Sequence, residues 1–223
     1  MGDVTGGRRE LRKAQTRAEI RAAAHRLFAE RGFDAVTTAD VAAAADVAVQ
    51  TVFNHFESKE ALFFDGRIPS LSGPAEAIAS CPPGTSPLTA LRRQVEQDIS
   101  ALLAREASPE RRSYVEAMVA TPHLQERGRM LMVEALELAT EALNTALSGG
   151  APATPRVRLF SRLTVEMFFN ASRVLAVEHR RTGLAEGWTA AGQAAAQDAV
   201  TATLAVLEDG ARQLAGRLGV PVD

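Results

Sequence analysis

Cysteine is almost missing: Cys81 stands alone in 223 residues. One cysteine closes no internal disulfide, and His, Cys and carboxylate side chains never recur at metal-ligand spacing, so neither a disulfide framework nor a metal centre is expected. No apolar run reaches the length of a membrane span. The first residues, MGDVTGGRRELRK, are polar and basic without an apolar stretch, so a secretory leader is not expected and a cytoplasmic setting is. No segment alternates apolar and polar residues convincingly over five positions, which speaks against a sheet. There is no internal repeat, and no glycine-rich phosphate loop following a strand. What remains is a chain with 46% hydrophobic residues, enough to fill one large or two smaller helical cores.

The net charge of −2 hides an asymmetry. Residues 8–31 carry eight basic and three acidic side chains, a local excess of five, so the rest of the chain sums to −7. A basic end on an acidic body fits a head drawn to nucleic acid and a body that is not.

Residues 1–11 contain Gly2, Gly6 and Gly7 and no apolar period. They read as a disordered basic arm from which Arg8, Arg9, Arg12 and Lys13 are placed to meet phosphates or a minor groove. A helix is predicted from about Arg12 to Arg31, ended by Gly32, with Ile20, Ala24, Leu27 and Phe28 as its apolar stripe. Then comes TTADVAAAADVAVQTVFNHFESK, residues 37–59. Thr37 and Asp40 form a short capping box that opens one helix. Asp46 falls in a tight turn, and a second helix runs from about Val49 to His55. Val41, Val47, Val52 and Phe56 face a core shared with Ile20, Leu27 and Phe28. On the opposite side Gln50, Thr51, Asn54 and His55 offer amide, hydroxyl and imidazole groups, and Thr38 lies at a helix start where a phosphate can be met. This points to a helix-turn-helix reader over 37–56 within a domain at 12–66. Ser58 caps a further helix, expected to reach about Ile68, with Lys59 in its first turn.

In 67–223 the chain punctuates itself. Ser86-Pro87, Ser108-Pro109, Thr121-Pro122 and Thr154-Pro155 each set a hydroxyl cap before a proline suited to the first helical position. They predict helices over 87–106, 109–120, 122–148 and 155–182, with a last one over 189–218. The 155–182 helix is apolar all round its axis and must be covered on every side. In the last helix Val200, Leu204, Leu207, Ala211 and Leu214 step by three and four like a packing seam, preceded by Ala190, Ala191, Gly192 and Ala194–Ala196. A homodimer through these two helices follows as the expectation.

Residues 14–64 resemble the tetracycline-repressor (TetR) family. The resemblance is carried by LFAERGF at 27–33, VTTADVA at 36–42, TVFNHF at 51–56 and SKEALF at 58–63, in order and spacing. It implies an all-α homodimer with an N-terminal three-helix helix-turn-helix domain followed by a larger helical ligand-binding and dimerisation bundle. It also implies a transcriptional regulator, most often a repressor released from a palindromic double-stranded operator by a small molecule. Motif matching carries DNA contacts onto Thr37, Thr38, Ala48, Val49, Gln50, Thr51, Phe53, Asn54, His55 and Lys59. Lys59, His55 and Thr38 suit phosphates; Gln50, Thr51 and Asn54 suit base edges. Three positions depart from the pattern: Asp46 stands for a glycine, Ala48 for a serine and Phe53 for a tyrosine. Ala48 leaves the reader helix without a side-chain cap, at a cost of about 1 kcal/mol.

Within 67–223 the expected ligand-binding residues are Tyr114, Met118, Met167 and Asn170, the methionines as adaptable apolar lining. The absence of a charged cluster favours an apolar or aromatic effector. No cofactor and no membrane contact are implied. The alternatives are a DNA-binding architectural protein that senses nothing, and an enzyme built on His123, His179, Cys81 or Tyr114. The second is disfavoured because Cys81 has no charged neighbour to activate it and Glu178 and His179, being adjacent, diverge on a helix.

Overall fold

The computed structural model describes residues 4–67 and 71–222, with side chains from Gly7 onward. Among the described residues there are ten helices and no strand: α1 Val4–Arg31, α2 Thr38–Ala44, α3 Val49–His55, α4 Lys59–Phe64, α5 Gly73–Ala79, α6 Pro87–Leu103, α7 Pro109–Ala120, α8 Pro122–Leu147, α9 Pro155–Glu186 and α10 Ala190–Leu218. The all-α expectation holds. The chain divides into two compact units, Met1–Ile68 with Ser108–Gly128, and Pro69–Ala107 with Arg129–Asp223.

The proline-marked helix starts stand where the hydroxyl–proline pairs place them. Ser86, Ser108 and Thr154 accept hydrogen bonds from the amides of Thr89, Arg111 and Val157, satisfying donors that a helix N-terminus leaves unpaired. Thr189 does the same for α10 through Gly192. Four differences from the sequence reading have physical reasons. Residues 4–11 are not a disordered arm: α1 runs through them for 28 residues, because Arg, Glu, Leu and Lys sustain a helix and Gly7 has open space around it. Residues 1–3 lie outside the described residues. The helix after Ser58 stops at Phe64, with Asp65 out of helical geometry and Gly66 at φ +69°, and the expected end at Ile68 lies outside the described residues. A helix that the sequence reading does not predict, α5, opens at Gly73-Pro74, proline occupying its first turn. α9 does not end at 182 but continues through Gly183 to Glu186 and is closed by Gly187 at φ +91°. What Gly183 provides is room, since a Cβ there would come within 2.5 Å of the Trp188 ring.

The first unit is built round aromatic rings. Phe28, Phe33 and Phe63 pack at centroid distances of 5.2–5.8 Å, among buried Ile20, Ala24, Leu27, Val41, Val52 and Phe56. Of the core expected for this unit only Val47 is half-exposed. The segment 108–128, which the sequence reading gave to the C-terminal body, belongs here. Tyr114 of α7 stacks on Phe63 at 5.0 Å, with the guanidinium groups of Arg67 and Arg111 over its ring at 5.4 and 4.7 Å. Leu124 is fully buried, and His123 lies 5.6 Å from Phe33.

The second unit packs α6, α9 and α10 around Leu88, Leu91, Ile99, Phe160, Val165, Phe168, Val200 and Leu204, with Leu143 of α8. Polar ties cross it at depth. Glu106, 2% exposed, receives two parallel hydrogen bonds from Arg180 at 2.7 and 2.8 Å. Glu208 receives Thr89, Arg92 and Arg212 at 2.5–2.9 Å. Burial alone would raise the Glu208 carboxyl, but these bonds outweigh it and hold the group below its ordinary value. Within this unit the seam of α10 faces inward: Val200, Leu204 and Ala211 are at most 1% exposed. It is a core seam.

Candidate nucleic-acid interface

The turn between α2 and α3 is set by two local devices. At its start the Thr37 hydroxyl accepts the Asp40 amide at 3.1 Å, while the Asp40 carboxylate accepts both the Thr37 amide (2.8 Å) and the Thr37 hydroxyl (2.5 Å). These bonds hold the Asp40 carboxyl below its usual value, the Thr37 hydroxyl contributing most. The Thr37 hydroxyl is therefore spent on the cap, leaving Thr38 as the hydroxyl at the mouth of α2. At the turn itself Asp46 adopts φ +53°, the only non-glycine residue described with a left-handed backbone. Aspartate tolerates this better than most residues, so the substitution for glycine is accommodated. The Val47 amide then closes back on the Ala42 carbonyl at 3.0 Å.

The helix α3 starts without a side-chain cap at Ala48, as its sequence foretells. Val52 and, just beyond, Phe56 are buried and fix its orientation. Outward stand Val49 (41% exposed), Phe53 (49%), Gln50 and Asn54, with Thr51 and His55 half-buried at the flanks. Gln50 Nε2 donates to Asn54 Oδ1 at 3.2 Å, leaving one carboxamide oxygen and one carboxamide NH₂ of the pair for an outside partner.

Lys59 is more committed than its place in the motif implied. Its ammonium donates to the carbonyls of Phe33 (3.0 Å) and Val36 (3.1 Å) and sits 4.1 Å above the Phe33 ring. An ammonium has three donors, so one is left for a phosphate. The sequence reading missed Arg17 altogether. Its guanidinium donates to the His55 carbonyl and to Asp65, both at 2.5 Å, and lies 4.2 Å from the Phe56 ring, so it ties the C-terminus of α3 to α1. No local signal marked it, because its partners are 38 and 48 residues away. His25, on the same helix, donates from Nε2 to the Leu62 carbonyl at 3.2 Å. Burial first, then the Arg67 charge, pull its pKa down to about 4. His55 is also lowered, by burial and then by Arg17 and Lys13.

Beside α3 the first turns of α1 and the end of the reader helix enclose a cleft of about 560 Å³ lined by Arg8, Arg9, Arg12, Lys13, Thr16, Asn54 and His55. It contains four cations and no acid.

The residues expected to hold a ligand fall in both units. Tyr114 and Met118 belong to the first unit, where Tyr114 is part of the aromatic core and the Met118 methyl packs at Gly128 near Phe64. Met167 packs against the core of the second unit, and Asn170 is exposed, accepting from Arg173 at 2.9 Å. Six buried polar atoms, in contrast, have no partner among the described residues, and all lie in the second unit: Thr140 Oγ1, Asn144 Oδ1, Ser148 Oγ, Ser161 Oγ, Thr164 Oγ1 and His179 Nε2. The i, i+4 spacing of Thr140 and Asn144 puts them on one face of α8, with Ser148 just past its end, a signal present in the sequence. The side chains weighed for catalysis are dispersed: His123 is 3.5 Å from Glu60, His179 packs edge-on to Trp188, and Cys81 is half-buried in a loop.

Residues 20–65 match the family described as "Bacterial regulatory proteins, tetR family". No curated protein matches the chain. Among solved structures the fold is shared with NalD, the secondary repressor of the MexAB-OprM multidrug efflux pump in Pseudomonas aeruginosa, at 19% identity and TM-score 0.51 over 86% of this chain and 96% of that one. It is shared equally with tylp, a tetR regulator from Streptomyces fradiae, at 24% identity and TM-score 0.51 over 88% and 86%. No described helix is long and apolar enough to cross a membrane. Residues 20–65 are thus similar to the tetR family of bacterial regulatory proteins, and the all-helical chain shares its fold with these two solved structures.

Proposed function

We propose that the protein is a ligand-responsive transcriptional repressor that binds a palindromic operator in the cytoplasm as a homodimer. The observation that carries the DNA-binding part is the outward face of α3, where Gln50 and Asn54 stand exposed between Val49 and Phe53 while Val52 and Phe56 anchor the helix from below. Carboxamides at that position suit the donor and acceptor pattern of a base edge in the major groove, and the Val49 and Phe53 side chains suit a thymine methyl. Thr38, His55 and the remaining Lys59 proton suit the flanking phosphates.

Dimerisation is supported by what the second unit leaves outside. Leu159, Leu163, Val174, Val177 and Leu184 are 44–66% exposed on α9 and fall on one stripe of the helix. Exposed Ala191, Ala195, Ala199, Ala202 and Gly210, with Val206 at 69%, make a matching small-residue face on α10. An apolar surface of this kind, continuous over two long helices, is the mark of a protein partner, and a second copy of the chain offers the same surface in return.

A small-molecule effector is supported by the five unpaired hydroxyl and amide atoms of α8, α9 and the turn after α8. Each buried polar atom without a partner costs about 1–3 kcal/mol, so a core that holds several is one a ligand can stabilise. They shift the expected effector from purely apolar to an apolar skeleton bearing hydrogen-bonding groups. An effector that binds better to a form with its two reader helices wrongly spaced drains the form that fits successive major grooves, about 34–36 Å apart. The lever we propose is α4, after which the chain passes from the first unit to the second.

Selecting DNA from a random pool tests the reading. The wild type is expected to enrich a two-fold symmetric site, and Gln50→Ala with Asn54→Ala to lose about 1–3 kcal/mol of base discrimination per side chain. An asymmetric product, or an unchanged preference in the variant, overturns it.

A further inference from the structure

Just past α4 stands an arginine whose hydrogen bonds are unspent. Phe64 closes the helix, Asp65 leaves helical geometry and Gly66 turns at φ +69°. The Arg67 amide then donates back to the Phe64 carbonyl at 3.0 Å, and the Arg67 guanidinium comes to lie over the Phe63 ring at 4.9 Å. Tyr114, stacked on Phe63, is 5.4 Å from the same guanidinium, and the Arg111 guanidinium is 4.7 Å from the Tyr114 ring. An aromatic face attracts a guanidinium but offers no lone pair to its five N–H donors. Among the described residues no group accepts from the Arg67 side chain. Asp65, two residues back, is taken by Arg17 and Arg21 at 2.5 and 3.5 Å. Glu110, in the first turn of α7, is exposed and acts on Arg67 through its charge alone. Burial is the largest influence on Arg67 and, with the Arg111 charge, pulls its pKa down to about 10 against Tyr114 and Glu110. Two guanidinium groups thus stand over one ring, and the half-buried Arg67 has no acceptor.

We infer that Arg67 and Arg111, over the floor of Phe63 and Tyr114, form a site for a small oxyanion, a carboxylate or a phosphate group. All four side chains belong to the first unit, so the site is separate from the hydroxyls of the body and stands whether or not the DNA-binding reading does. Its guest follows from the donors. A guanidinium is a planar fork that bonds two oxygens of one anion in parallel. Arg67 is only half-buried, so a guest from solvent can reach it, yet it is desolvated enough for such bonds to be stronger than at an open surface. An anion also screens the two arginines from each other. A cation would meet two like charges there, and a neutral guest would leave their repulsion standing. The chain shows no charge cluster because the two arginines flank the whole of α5 and α6.

Tyr114 is the only tyrosine in the chain, so tyrosine-labelled protein gives the NMR signals of a single ring, at the floor of the site. The full chain is titrated at pH 7 and constant ionic strength with inorganic phosphate, with acetate, and with chloride as the reference. Phosphate or acetate is expected to move the Tyr114 signals saturably, and the one that does so separates a phosphate-bearing guest from a carboxylic acid. Loss of the charged hydrogen bonds in Arg67→Gln should weaken that binding by about 10–100-fold, with circular dichroism checking that helicity is retained. Arg67→Lys keeps the charge without the fork and should bind more weakly than wild type, which decides the matter should the glutamine variant not fold. Shifts that never saturate, or that chloride reproduces, overturn the site, as does wild-type affinity in either variant.

Discussion

The two units of this chain handle polar groups in opposite ways. In the first, buried or half-buried polar side chains are tied to backbone carbonyls: His25 to Leu62, Lys59 to Phe33 and Val36, Arg17 to His55. Among the described residues its unmet groups are on the surface, as reader amides and a cationic cleft. In the second, the unmet groups are inside, as hydroxyls of α8 and α9, and the outer faces of α9 and α10 are apolar. A rigid head with its hydrogen-bonding capacity turned outward is suited to a solvated, charged polymer. A body with unspent capacity in its interior and an apolar exterior is suited to a small guest and a protein neighbour.

The largest effect that can break this contrast is at the apolar exterior. Leu163→Glu with Val177→Glu alters two exposed side chains of α9 and is expected to leave the fold intact while yielding a monomer by light scattering. Operator affinity should then fall by about 10²–10⁴-fold, the usual worth of a second tethered reader; a variant that remains dimeric removes this face from the interface. Next in size is the buried imidazole of the head. The His25 pKa of about 4 lies below the ordinary 6.5, so the unfolded chain binds the proton first. The stabilisation is complete above pH 6.5 and is lost as pH falls toward about 4, a change of roughly 3 kcal/mol. Denaturant unfolding between pH 7 and 4.5 should show this slope, and His25→Gln should flatten it; an equal slope in the variant assigns the acid sensitivity elsewhere. Smallest is the converse test in the body. Thr164→Val replaces an unpaired buried hydroxyl with a methyl of the same shape and should stabilise the free protein by about 1 kcal/mol while weakening any effector response. A net destabilisation would mean that the hydroxyl already has a partner in solution.

Legibility followed the range of the interactions. The reader helix, its missing cap at Ala48, the Thr37–Asp40 box and the helices begun by Ser86-Pro87, Ser108-Pro109 and Thr154-Pro155 are set by residues within four positions of one another, and the sequence displays them. The helix-turn-helix spacing was legible for the same reason. Arg17 and Lys59 were not, because their partners lie 38 and 26 or 23 residues away. Tyr114 reads as pocket lining because it shares a helical face with Met118, while its stacking partner Phe63 is remote in sequence. The α10 seam was legible as a packed face, since a step of three and four identifies one but not whether the neighbour is the same chain. The helical start of α1 was hidden by two glycines whose weak local cost was taken as decisive.

Glu106 and Arg180 carry a consequence for how this body can vary. With the carboxylate 2% exposed and bonded twice, replacing either partner alone strands a buried charge at about 3–5 kcal/mol, a large part of a domain's whole margin. Replacing both with apolar residues of similar volume is close to neutral. The two positions are therefore joined by an epistatic valley: each is constrained by the other. Drift in the body should pass around this pair, and a chain that has lost the ion pair should have lost both halves of it.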